Sequence, residues 1–142
     1  MTNKKEIVTY VLIIFIALLI AQHLNVVVSG SMEPVFSRGD IVAVEKTNLF
    51  GLGIQEFDPS DVKVGDIVVY DAHWVNEPVI HRVINITEIN GTTYYMIKGD
   101  NNDSPDPYYV EADQITDRVI TNGDSPIVIP YIGNINLWLK GL

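Results

Sequence analysis

No charged residue occurs between Glu6 and Glu33. Within that interval residues 7–21 read IVTYVLIIFIALLIA, with Thr9 the one polar residue. Continued to Leu24 as a helix, this segment is about 27 Å long at 1.5 Å per residue, close to the ~30 Å hydrocarbon core of a bilayer. A helix buried in a soluble core is the first competing reading, but a chain of 142 residues can hardly cover fifteen apolar residues on every side. A cleaved leader is the second, with Lys4 and Lys5 as its basic start. Its expected pair of small residues separated by one is missing, since Ala17 and Ala21 lie four apart. The segment therefore reads as an uncleaved anchor. Lys4 and Lys5 place residues 1–6 in the cytoplasm, residues 7–24 in the membrane and residues 25–142 outside it.

Charge sharpens that division. The chain has 9 Lys and Arg against 18 Asp and Glu. Lys4, Lys5 and Glu6 make the start weakly positive, which leaves 7 basic and 17 acidic residues from Asn25 onward. So acidic an external part excludes nucleic acid as a partner, because the phosphate backbone would repel it. The absence of cysteine excludes disulfides, a thiolate metal site and a thiol nucleophile.

The remainder reads as β. Residues 41–44 (IVAV) and 67–70 (IVVY) are β-branched runs, each preceded by Gly-Asp. Residues 79–86 (VIHRVINI) alternate, with Val79, His81 and Val83 on one face and Ile80, Arg82 and Ile84 on the other. Asn90-Gly91 predicts a hairpin turn into residues 94–97. Val119-Ile120 and residues 127–129 are further short candidates. The fold class is thus mainly β: one N-terminal membrane helix followed by a small twisted β domain.

Three places could carry chemistry. Ser29-Gly30-Ser31-Met32-Glu33-Pro34 follows the apolar segment directly, and Gly30 and Pro34 suit the sharp, open turn that a serine nucleophile needs. The plain alternative is a serine-rich linker. His81 lies on the alternating strand, where a base is held more firmly than on a loop; His23 and His73 are the alternatives. Lys98-Gly99-Asp100-Asn101-Asn102-Asp103, followed by Ser104-Pro105-Asp106, is the third. A calcium loop is a weak reading there, because the central Gly is missing and Pro105 and Pro107 interrupt the pattern. The other reading has one aspartate orienting His81.

Taken together, these segments resemble type I signal peptidases of the archaeal and endoplasmic-reticulum branch. The likeness runs from the anchor through Ser29–Pro34, Arg38-Gly39-Asp40, Gly65-Asp66-Ile67-Val68-Val69-Tyr70, His81-Arg82-Val83 and Lys98-Gly99-Asp100-Asn101-Asn102 to Ile129-Pro130-Tyr131-Ile132-Gly133. The bacterial branch carries a lysine base where this chain has His81. The resemblance implies a membrane-bound serine endopeptidase that removes signal peptides after small residues. Ser31 would be the nucleophile and His81 the general base, with the Ser31 N–H and the Ser29 hydroxyl as oxyanion donors. The same resemblance favours Asp106 as the partner of His81, with Asp100 bracing the site and Asp103 in reserve; spacing alone does not separate them. An imidazole of ordinary pKa, about 6.5, suits a base working near neutrality, so activity is expected to fall as pH drops through 6 to 7.

Substrate would bind by β-augmentation. The implied edges are the strand entering Ser31 and the one formed by Gly65, Asp66, Ile67, Val68 and Val69. The implied partners are preprotein signal peptides, membrane lipids and the protein translocation machinery. The location is the cell membrane, or the endoplasmic-reticulum membrane in a eukaryote. No metal or organic cofactor is required by this chemistry. A narrow-specificity membrane serine peptidase and a non-catalytic tethered β module remain the alternatives. Two sequons, at Asn85 and Asn90, fall in the external part. Tyr131, Ile132, Leu137, Trp138 and Leu139 form an apolar tail expected to touch the membrane interface.

Overall fold

The computed structural model describes residues 3–130 and 138–141. Helix α1 (Lys4–Gln22) opens with a reciprocal cap: Asn3 accepts the Glu6 N–H at 2.9 Å, and the Glu6 carboxylate accepts the Asn3 N–H. None of its residues is buried against the rest of the protein. A helix apolar on all sides and covered on none is not a core element. Among the described residues it is the one helix long and apolar enough to cross a membrane.

The helix ends at Gln22, two residues short of the expected Leu24. The His23 Nδ1 lies 2.7 Å from the Leu19 carbonyl oxygen, and the His23 backbone N–H donates to the Ile20 carbonyl. Leu24 is already paired with Ala43. Strand pairing with a distant segment overrides the last helical turn, and no local signal announces it.

The domain is an antiparallel sheet of β1 (Leu24–Val26), β2 (Ile41–Lys46), β3 (Ile67–Tyr70), β4 (Val79–Ile89), β5 (Thr92–Lys98), β6 (Val110–Glu111), β7 (Ile115–Val119) and β10 (Val128–Ile129). Its order is β1-β2-β7-β3-β4-β5-β6, with β10 also pairing with β2. β8 (Thr121–Asn122) and β9 (Ser125–Pro126) form a separate hairpin. Asn90 and Gly91 both take positive φ, 53° and 80°, in the β4–β5 turn, as a tight hairpin demands. β2, β3, β4, β5 and β10 were expected within a few residues. β1, β6 and β8–β9 were not, being two or three residues long and defined by their partners. Ile120, expected in a strand, lies just outside β7.

Two apolar clusters fill the domain. One holds Phe57, Val68, Tyr70, Val83, Tyr95, Ile97 and Ile115. The other holds Val27, Met32, Phe36, Val42, Val44, Ile67 and Val119. The second cluster grips the chain on both sides of Ser31, through Val27 before it and Met32 and Phe36 after it. Trp138 and Leu139 are exposed; Tyr131, Ile132 and Leu137 of the expected interfacial tail lie outside the described residues.

Candidate active site

Ser31 sits in the turn between two buried anchors. Met32 is fully buried, and its sulfur accepts the Asp100 N–H at 3.4 Å. The Asn101 backbone N–H donates to the Ser31 carbonyl at 2.8 Å, and the Asn101 side chain donates to the Gly30 carbonyl at 3.1 Å. The two loops come so close that a Cβ on Gly99 would lie 2.7 Å from the Ser31 carbonyl oxygen. Glycine is required there by that approach.

The Ser31 hydroxyl is 2.9 Å from His81 Nε2. His81 Nδ1 lies 2.8 and 2.9 Å from the two carboxylate oxygens of Asp106. A carboxylate accepts and does not donate, so Nδ1 carries the proton and the Nε2 lone pair faces the Ser31 O–H. His81 is held by β4, with Val68 opposite it on β3. Asp106 is fixed by its own N–H, which donates to the Ile97 carbonyl of β5 at 2.8 Å.

Tyr70 closes this chain of contacts from the core side. Its hydroxyl donates to Asp106 at 2.6 Å. Burial, and then the hydrogen bond to the carboxylate, push the phenol far above its ordinary pKa, so it stays a donor. Sequence reasoning placed Tyr70 on a strand but gave it no role. The usable signal was its chemistry: a tyrosine ending a fully buried run needs a partner for its O–H.

The aspartates separate clearly in space. Asp100 meets Arg82, not His81: Arg82 donates to it through Nε at 2.9 Å and Nη2 at 2.8 Å, and through Nη1 to the Gly65 carbonyl at 2.8 Å. The paired carboxylate raises the Arg82 pKa further. Asp100 thus ties β4 to the loop that supports Ser31. Its carboxylate is taken up by Arg82, which leaves the calcium reading without its first ligand. Asp103 is exposed and contacts His81 in none of the described hydrogen bonds. Among the other histidines, His23 bonds Glu56 at 2.7 Å, and His73 is exposed beside Asp71 and Glu111.

Ser29 stands next to Ser31. Its Oγ is 3.0 Å from the Ser31 Oγ and accepts the Ser31 N–H at 3.4 Å. A cavity of about 330 Å³ opens over this group, bounded by Val28 and Ser29 on one side and by Trp74, Glu77, Val79, Ile80 and His81 on the other.

The expected substrate edge at Gly65, Asp66, Ile67, Val68 and Val69 needs correction. β3 has neighbours on both sides: Ile67–Tyr70 pairs with β4, and Val68–Tyr70 pairs with β7. All four of its residues are buried, so no free edge exists there. Gly65 and Asp66 line a different, polar cavity with Arg82 and Thr121. The open stretch beside Ser31 is Val79–His81. The described ladder between β4 and β5 starts only at Arg82↔Lys98, which leaves Val79, Ile80 and His81 facing the cavity. A Gly-Asp-Ile-Val-Val run looks the same in the sequence whether it is central or at an edge. Its unbroken apolar character was the hint that it is central.

A family model described as signal peptidase, peptidase S26, matches residues 2–87. An uncharacterized protein of Methanocaldococcus jannaschii is 37% identical, over 86% of this chain and 86% of that protein. The signal peptidase complex catalytic subunit SEC11 of Colletotrichum graminicola is 35% identical over 81% of this chain. The signal peptidase complex catalytic subunit SEC11C of Homo sapiens is 32% identical over the same share. The chain spans 66% and 56% of the length of those two subunits. With the fold, the order of its motifs and these likenesses all in agreement, the chain belongs to the signal peptidase family, peptidase S26.

Proposed function

We propose that this protein is a membrane-anchored serine endopeptidase that removes signal peptides from preproteins on the outer side of the membrane. The observation that carries the reading is the run of short contacts from Ser31 through His81 to Asp106. The Ser31 Oγ attacks the scissile carbonyl as His81 Nε2 takes its proton. The tetrahedral oxyanion is met by the Ser31 N–H and the Ser29 hydroxyl, which swings from its present contact with Ser31. His81 then gives the proton to the leaving amine, and a water repeats the sequence on the acyl-enzyme. Asp106 holds the ring in the required tautomer. Asp100 acts on the site through Arg82.

The substrate lies extended along Val79–His81, opposite Val28 and Ser29, and is bound by main-chain hydrogen bonds. Anchor helix α1 crosses the bilayer with Lys4 and Lys5 on the cytoplasmic side. Only eight residues separate Gln22 from Ser31, so the nucleophile stays near the outer surface, where a signal helix ends.

Cleavage of a preprotein in detergent micelles tests the reading. Ser31→Ala and His81→Ala are each expected to abolish product. Retained cleavage by either variant would refute the mechanism. His81→Lys is expected to be severely impaired, because an ammonium at a site built for imidazole stays protonated.

A further inference from the structure

The loop between β2 and the Pro59–Asp61 turn has no role in the site. Residues 47–55 read TNLFGLGIQ, a run without charge bounded by Lys46 and Glu56. Leu52 is 71% exposed and Ile54 49% exposed. Both lie in one uncharged loop of an otherwise acidic domain.

The loop does not point away from the anchor. The ring of Phe50 stacks on Phe15 of α1 with centroids 6.3 Å apart and planes 30° apart. Phe15 lies seven residues before the helix end, about 10 Å down its axis. Helical side chains lean toward the N-terminus, which here means farther from the domain. Even if the whole ring separation ran along the axis, Phe50 would sit about 4 Å below the end of the helix.

A polar collar marks the base of the loop. His23, directly after α1, bonds the Glu56 carboxylate at 2.7 Å, and that carboxylate also accepts the Lys46 N–H at 2.9 Å. Beyond the collar four of the loop's backbone N–H groups are paired within the loop itself. Leu49 N–H donates to the Ile54 carbonyl, Gly51 to Asn48, Leu52 to Leu49, and Gly53 N–H to the Asn48 side chain at 2.7 Å. Positive φ at Phe50, Gly51 and Gly53 makes this tight closure possible. Lipid-exposed hydrocarbon does not tolerate irregular backbone, so the backbone of such a loop stays at the interface while its apolar side chains reach below it.

We propose that the loop of residues 48–54 lies at the outer membrane interface alongside α1, with the Leu52 and Ile54 side chains reaching into the lipid acyl chains. The domain is then held to the bilayer at two points. This rests on the reading of α1 as a membrane span, and the occupant is lipid because the loop already lies along the segment that lipid would surround.

The chain contains no cysteine, so single-cysteine variants of the full chain report one position each. Ile13→Cys on α1, Leu52→Cys and Ile54→Cys on the loop, and Glu88→Cys on β4 are labelled with an environment-sensitive fluorophore. The protein is reconstituted in phosphatidylcholine vesicles with and without lipids carrying a nitroxide on the upper acyl chain. Positions 13, 52 and 54 are expected to emit at shorter wavelength than position 88 and to lose fluorescence to the nitroxide, while position 88 keeps its signal. Quenching at 13 with water-like emission at 52 and 54 would overturn the proposal and leave the loop as a surface for a protein partner. Failure of quenching at 13 would overturn the membrane span itself, and the proposal with it. All four substituted side chains are exposed, so the variants are expected to fold.

Discussion

Tyr70→Phe is the sharpest test of how the site is held. The phenol is fully buried and its one described hydrogen bond runs to Asp106 at 2.6 Å. The Asp106 side chain is itself only 6% exposed, so water does not readily replace the lost donor. A hydrogen bond to a charged acceptor contributes about 1.5–3 kcal/mol. Phenylalanine keeps the ring and its packing against Val68, Val83 and Tyr95, so the change isolates the hydroxyl. We expect Tyr70→Phe to lower unfolding stability by about 1.5–3 kcal/mol, read from denaturant melts of the full chain in detergent. If half of that energy serves to aim the carboxylate at His81, kcat falls about fivefold, at 1.4 kcal/mol per decade, with KM little changed. A double-mutant cycle with Asp106→Asn assigns the effect to the pair, with an expected coupling of about 1–2 kcal/mol. Wild-type stability together with kcat within twofold of wild type would refute the argument that Tyr70 positions Asp106.

Asp106→Asn on its own should lower kcat by about two to four orders of magnitude, since the amide no longer fixes the tautomer of His81; Asp103→Asn should leave preprotein cleavage unchanged. Gly99→Ala would place a methyl 2.7 Å from the Ser31 carbonyl oxygen, and a loss of about 1–3 kcal/mol in stability with most of the activity is expected. Arg82→Lys keeps the charge but loses the paired contact with Asp100 and the bond to Gly65, so it should behave more like Arg82→Ala than like wild type in a cleavage time course.

The residues of the site were more legible than its walls. Ser31, His81 and three candidate aspartates were singled out through the resemblance of several motifs in order to one family; the local chemistry of each motif alone left a linker, other histidines and all three aspartates open. The geometry resolves that choice in space, since Asp106 reaches His81 while Asp100 turns to Arg82. The substrate edge was not legible. Whether β3 is central depends on β7, some fifty residues later in the chain, and the unbroken run of Ile and Val hints at burial without naming its neighbours. Tyr70 was hidden for the same reason: its partner is thirty-six residues away and approaches from another loop. The end of α1 was displaced because β1 pairs with β2, a contact invisible in an apolar stretch that would suit either helix or strand.

One residue, His23, separates α1 from β1. A joint this short cannot act as a swivel, and the His23–Glu56 contact stiffens it further. On the proposed reading of α1 as a membrane span, the helix works as a gauge as well as a tether. Adding one residue to α1 would turn the domain by about 100° and raise it by about 1.5 Å. Adding a full turn would restore its facing but shift its height by about 5.4 Å. If α1 spans the bilayer as proposed, its length sets the height of the Ser31–His81 group above the membrane, in steps of about 1.5 Å per residue.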